Sequence, residues 1–377
     1  MPIHKNPRAW IILVALLILA TVVLLREHRA SFLRPGVHLN AYVSTDDGNV
    51  TVIDLAALRA TQKIYVAPGI ADLREPAHRD EIWGVNATQG FVFIIDAPSN
   101  QLVARINVGP LPYSLDFSAD GRRAFTTSAS ANQVLAIDAN SRTIVARQQT
   151  GAEPVQARLS PNQKLLLVVN RRANTLGIHD ATTLRQLHAV PVIPQPDEVV
   201  ITSESDIAFV MSRTQNRLSV VDLKRAVLLA NLELAGKPTA MLLKPDGGEL
   251  YVISPEAHGL QAINTWTHEV GDTMLLGSEP YNAIIDPDAA EMYVTDRAAG
   301  RVMPLDYINR RIGRPINVGS QPGVMRFDPS APGAKSTMLL VANQNSGDLA
   351  IIRTRTDSLL TLLPIGPHPQ RIAVKFF

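Results

Sequence analysis

The sequence predicts an all-β fold, an eight-bladed β-propeller in which the C-terminal strand completes the first blade. Three series of residues carry this expectation, and all three run at the same spacing. An acid or amide follows a short apolar run every 42 residues, at Asp54, Asp96, Asp138, Asp180, Asp222, Asn264 and Asp306. Prolines stand 42 apart in a second phase, at Pro112, Pro154, Pro196, Pro238, Pro280 and Pro322. A large apolar slot holds a third phase, at Trp83, Phe125, Leu167, Phe209, Tyr251 and Tyr293. A period of about 40–45 residues with several short strands per repeat marks a propeller blade.

One repeat shows how each element arises. Pro112 to Ser118 reads as a first strand, turned at Ala119 to Gly121, and Arg123 to Thr127 reads as a second. A polar loop, Ser128 to Asn132, leads to a third strand, Gln133 to Ile137, and Thr143 to Arg147 reads as a fourth. Branched and aromatic residues fill the strands, while Gly, Pro, Asn, Asp and Ser punctuate the turns. A Pro at the first position of a strand costs no ladder hydrogen bond. The recurring carboxylate after the third strand is placed to accept local backbone N–H groups and fix the turn, which is a structural role. The aromatic slot is expected to pack between neighbouring blades.

The blade count follows from the ends. An eighth copy, Ile351-Ile352-Arg353, comes after 47 residues, with the surplus in a loop insertion from Ser330 to Ser336. The first repeat begins at its second strand near Ala41, and Pro369 to Phe376 matches the first-strand pattern of Pro322 to Phe327. The two ends then share one blade, which removes free sheet edges. The alternative of seven blades leaves one regular repeat outside the ring.

Composition bounds the function. The net charge of +2 does not mark a nucleic-acid binder, whose Lys and Arg concentrate on one face. With no Cys, disulfides, thiolate metal sites and a covalent c-type haem are excluded. Trp10 to Leu25 is 16 residues without a charge, flanked by Lys5, Arg8 and Arg26. That is close to a membrane span, and no small-residue pair marks a cleavage site after it. The expected organisation is a short tail (1–9), a transmembrane signal anchor (10–25), a linker (26–38) and the propeller (39–377).

The blade pattern resembles a known family. Tyr293-Val-Thr-Asp296, Tyr251-Val252, Val52-Ile-Asp54, Val108-Gly109, Val318-Gly319, Ser118-Ala-Asp-Gly121 and Lys244-Pro-Asp-Gly247 are similar to the YVTN β-propeller repeat of exported bacterial and archaeal proteins. The resemblance implies a propeller on the extracytoplasmic side of a single-pass anchor. The wider superfamily includes propellers that bind haem d1 and others that hydrolyse lactones, so it leaves chemistry open.

No catalytic signature is present. The nine His show no metal-ligand spacing, and Gly-x-Ser-x-Gly, Walker A and Gly-x-Gly-x-x-Gly are absent. His179 reads as a packed strand residue, and His78, His258 and His368 are loop candidates for a metal or haem. No metal or cofactor is expected from these residues. The remaining candidate is the channel rim, because first strands line a propeller axis. The second position after the leading-Pro phase, which Ile70 fills in the second blade, gives Asp72, Ser114, Gln156, Glu198, Ala240, Asn282, Val324 and Arg371. Asp72, Gln156, Glu198, Asn282 and Arg371 are the ligand-binding candidates, with Arg171, Arg172, Arg213 and Arg297 as basic residues of the hairpin loops. Such a rim suits a small polar ligand or a cell-envelope protein. The expected function is a membrane-anchored binding scaffold; the alternative is an envelope enzyme, lactonase-like or haem- or metal-dependent.

Overall fold

The computed structural model describes residues 38–286, 289–329 and 336–377. The expected anchor at 10–25, the tail before it and the linker up to residue 37 lie outside the described residues, as does most of the insertion after Pro329's neighbour Asp328 (330–335). Among the described residues no helix is long and apolar enough to cross a membrane.

Eight antiparallel sheets follow one another around a central axis. Numbered along the chain, their inner strands are Arg371–Phe376 for blade 1, then Ile70–Arg74, Leu115–Phe117, Pro154–Leu159, Glu198–Ile201, Ala240–Leu243, Pro280–Ile285 and Pro322–Phe327 for blades 2 to 8. The closure expected from the two ends is present. Arg371–Phe376 pairs antiparallel with Leu39–Ser44, with Ser44 opposite Arg371 and Leu39 opposite Phe376. Blade 7 departs from the pattern: its outer strand is broken into Arg311–Ile312 and Ile316–Asn317, both paired with Arg301–Asp306. Pro315 lies between the pieces and has no N–H to give the ladder.

The repeated features take the roles their positions implied. Trp83, Phe125, Leu167, Phe209, Tyr251 and Tyr293 are all buried. Each apolar cluster spans two blades; Trp83, Val85 and Val92 of blade 2, for example, pack with Leu115, Ala124 and Leu135 of blade 3. Truncating such a ring to Ala typically costs about 3–5 kcal/mol. The turn carboxylates are caps. Asp138 Oδ1 accepts the N–H groups of Asn140 and Ser141, and Asp54, Asp180, Asp222 and Asp306 repeat the arrangement. Asn264 does the same with its amide oxygen. Those backbone bonds hold the carboxyls of Asp138 and Asp180 below their usual range.

Candidate functional site: the mouth of the central channel

The inner strands bring the candidate rim together. Asp72, Ser114, Gln156, Glu198, Ala240, Asn282, Val324 and Arg371 all line one axial cavity of about 620 Å³. That size falls in the range of small-molecule sites. Several of these side chains have a second task. Asp72 Oδ2 accepts the Leu115 N–H at 3.2 Å, Ser114 Oγ the Ala157 N–H at 3.0 Å, and Gln156 Oε1 the Val199 N–H at 2.8 Å. In each case the donor sits on the inner strand of the next blade. Arg371 reaches the next blade too, with Nε donating to the Ala71 carbonyl at 2.8 Å. The rim is therefore a girdle of inter-blade hydrogen bonds as well as a cavity wall. Asn282 turns inward on its own strand, where its side-chain oxygen accepts the Ala283 N–H.

A deeper tier was missed by the sequence reading. Two residues further along the inner strands, on the same face, stand Arg74, Arg158 and Arg326, all of which line the cavity. They share the 42-residue phase, so the signal was present in the spacing; the pleat places i and i+2 on one face. Asp116 occupies this tier in blade 3, and its Oδ2 accepts the Leu159 N–H.

The charges of the wall are paired unevenly. Six arginines line the cavity (74, 158, 171, 213, 326 and 371), against three carboxylates, Asp72, Asp197 and Glu198. On blades 4 and 5 the loop arginines are taken up. Arg171 lies 2.6 Å from Asp197 and 3.4 Å from Glu153, and Arg213 lies 3.3 Å from Glu198. Arg158 faces Asp116 at 3.7 Å. On blades 8, 1 and 2 the balance is different. Arg74 pairs with Asp72 at 3.1 Å and Arg326 pairs with Glu75. Arg371, by contrast, donates among the described residues to the carbonyls of Ala71 and Gln370 alone. Burial, followed by the nearby Arg74 charge, lowers the Arg326 guanidinium to about 10, so it remains a cation at neutral pH. Blades 6 and 7 supply only uncharged lining: Thr239, Ala240, Met241, Leu242, Tyr281, Asn282 and Ala283.

The other loop candidates fall outside this wall. Arg297 stacks on the Tyr281 ring at 4.0 Å and donates to Gln344, while Arg172 lines a shallower recess beside Arg171 and Arg213. His78, His258 and His368 occupy tight turns with φ of 58°, 53° and 43°, the left-handed region in which His is enriched. None of them lines the axial cavity. His179 is buried among strands, its Nδ1 2.9 Å from the Leu184 carbonyl. Among the described residues no group of three or more His, Cys, Asp or Glu is arranged to hold a metal ion.

Comparison with known proteins adds to the geometry. Residues 81–241 match the family model for the cytochrome D1 heme domain. No curated protein sequence matches. Among solved structures, the chain is similar to dihydro-heme d1 dehydrogenase NirN in complex with DHE, with TM-score 0.77 and 14% identity over 92% of this chain and 77% of that one. It is similar to apo AztD from Citrobacter koseri, with TM-score 0.68 and 12% identity over 90% of this chain and 98% of that one. It is also similar to hydrazine synthase of Kuenenia stuttgartiensis, with TM-score 0.59 and 17% identity over 79% of this chain and 99% of that one. At these identities the likeness is one of fold. The class defined by fold and site is an all-β propeller with an arginine-lined axial cavity.

The heme-domain match raises the question of whether the cavity suits such a group. A haem-type macrocycle needs cations for its carboxylates, an apolar wall for its edge, and a donor atom where its iron is to be ligated. An excess of arginines over carboxylates in the lining meets the first need, and Ala240, Leu242 and Val324 meet the second. For the third, the lining holds the phenols of Tyr113 and Tyr281, with no His among the described lining residues; Met241 and Met325 are buried in the apolar clusters between blades. The residues fit the binding of a carboxylate-bearing macrocycle.

Proposed function

We propose that this protein binds a carboxylate-bearing cyclic tetrapyrrole at the mouth of its central channel, as a cofactor-dependent or cofactor-handling propeller of the cell envelope. The observation that carries this is the arginine-lined cavity, to which the stretch matching the heme domain contributes Arg158, Arg171 and Arg213. A general scaffold does not require six arginines along one axial cavity. The heme-domain match therefore favours the cofactor alternative over the scaffold reading.

In this reading the side of the cavity with spare positive charge faces the ligand's carboxylates, and the uncharged lining of blades 6 and 7 receives the less polar edge. Tyr113 and Tyr281, on blades 3 and 7 of an eight-bladed ring, flank the bound group from opposite sides. A bound iron tetrapyrrole supplies redox or ligand-binding chemistry; the protein's part is to bind, orient and shield it. We propose further that residues 10–25 anchor the chain in a membrane, with the propeller on its extracytoplasmic side. No nucleic-acid partner is assigned.

The test is a titration of the full-length chain, held in mild detergent, with ferric protoporphyrin IX and with haem d1. A saturable, near-stoichiometric change in visible absorption for at least one supports the reading. Non-saturating spectra for both overturn it.

A further inference from the structure

The pairing of the cavity charges distinguishes two groups of arginine that the sequence does not separate. Arg158, Arg171 and Arg213 face carboxylates that match or outnumber them: Asp116, Glu153, Asp197 and Glu198. Among the described residues Arg74, Arg326 and Arg371 have only Asp72 and Glu75 within ion-pair distance, with Asp116 and Glu198 acting on Arg74 from further off. Their inner strands are consecutive around the axis, with blade 1 between blades 8 and 2. The Arg74 and Arg326 side chains keep 34% and 38% of their surface open while lining the cavity. Arg371, held by two backbone carbonyls, has guanidinium N–H groups left over. An anion entering the cavity meets least competition here, because it displaces no carboxylate from Arg371.

This triad also sits on the seam of the ring. Arg371 belongs to the C-terminal strand that pairs with Leu39–Ser44, and its neighbours on either side are the first inner strand of the chain and the last full blade. We propose that Arg74, Arg326 and Arg371 form the carboxylate-recognising subsite of the cavity, and that a carboxylate bound there clamps the seam of the propeller. This rests on the tetrapyrrole reading above and assigns the ligand's acidic edge to blades 8, 1 and 2. A shared anion bridging arginines on three blades restrains their inner strands together, so ligand binding and ring closure become linked equilibria.

The experiment compares ferric protoporphyrin IX with its dimethyl ester on the full-length chain, using absorption titrations and hydrogen exchange. The free acid is expected to bind at least tenfold more tightly than the ester. It is also expected to slow exchange in residues 39–44 and 371–376, which the ester leaves unchanged. Arg371→Gln and Arg326→Gln are expected to lose tenfold or more in affinity for the free acid, and Arg213→Gln no more than about twofold. Arg371→Lys, which keeps the charge, is expected to recover part of the loss. If Arg371→Gln folds poorly, the acid and ester comparison on the unaltered protein still decides. Equal binding of acid and ester, or equal damage from Arg213→Gln and Arg371→Gln, overturns the subsite while leaving tetrapyrrole binding in place. Absence of binding by both compounds and by haem d1 overturns both; where haem d1 alone binds, the same arginine variants titrated with haem d1 decide the subsite.

Discussion

The side-chain carbonyl of Gln156 accepts the backbone N–H of Val199 at 2.8 Å, linking the inner strand of blade 4 to that of blade 5. Ser114 with Ala157, and Asp72 with Leu115, make the same connection in the two preceding blades. The inner strand of a blade has its second strand on one side only, so N–H groups on its channel side need another acceptor. A polar side chain from the preceding blade supplies it. Gln156→Ala is expected to leave the Val199 N–H without its partner and to cost about 1–3 kcal/mol. Urea unfolding measures this, and an unchanged midpoint would show that water replaces the bond at no cost.

Removing residues 369–377 takes away the whole inner strand of blade 1. The remaining edge, Leu39–Ser44, is buried along its length in the closed ring and would become exposed. The truncated chain is expected to unfold at lower urea, with a broadened transition and faster proteolysis. A midpoint equal to that of the intact chain would contradict the role of the strand.

His179 gives the protein an acid-sensitive point. Burial lowers its pKa, opposed by the Nδ1 contact with the Leu184 carbonyl. The unfolded chain takes up a proton at about pH 6.5, where the folded chain resists it. Stability from this group is thus full above about pH 7 and falls as pH drops through about 6.5. The same phase in neighbouring repeats holds Ile95, Ile137 and Val221. His179→Ile is expected to flatten the decline in stability between pH 7 and pH 5, measured as unfolding midpoint against pH. A slope identical to the unaltered protein's would assign the decline to other groups.

For the placement of the chain, protease added to spheroplasts is expected to digest the propeller while cytosolic markers survive. The fragment containing residues 10–25 should remain with the membrane fraction. Complete protection of the propeller would reverse the orientation.

The architecture was legible because one period carries everything: turn carboxylates, leading prolines and aromatic slots repeat in fixed phases, and a closed ring satisfies all of them. The match of Pro369 to Phe376 with Pro322 to Phe327 was enough to place the closing strand. The site was half legible. Phase alone brought Asp72, Gln156, Glu198, Asn282 and Arg371 to one wall, and the same rule extended by one pleat reaches Arg74, Arg158 and Arg326. What spacing could not show is who pairs with whom. Arg171 and Arg213 look free in the sequence, yet Asp197 of the next blade and Glu153 of its own meet Arg171, and Glu198 of its own blade meets Arg213. Arg371 looks ordinary, yet it is the cavity arginine held by carbonyls alone. Such distinctions depend on three-dimensional contacts within and between neighbouring repeats, which a one-dimensional period does not encode.

The pairing of Leu39–Ser44 with Arg371–Phe376 also sets an order in time. Leu39–Ser44 is the first described strand to be synthesised, and its inner partner is the last. Blades 2 to 8 can form as the chain emerges, since each is built from consecutive strands. Blade 1 must wait, with one edge open, through the making of more than 300 residues, and the closing contacts are the least local in the molecule. Contacts of such long range are slow to form. During that interval the nascent protein is an open arc with an unpaired edge, the kind of surface on which chains associate wrongly. The geometry that closes the mature ring therefore gives its biosynthesis a single late step, at which a chaperone or an early-bound ligand would have the most effect.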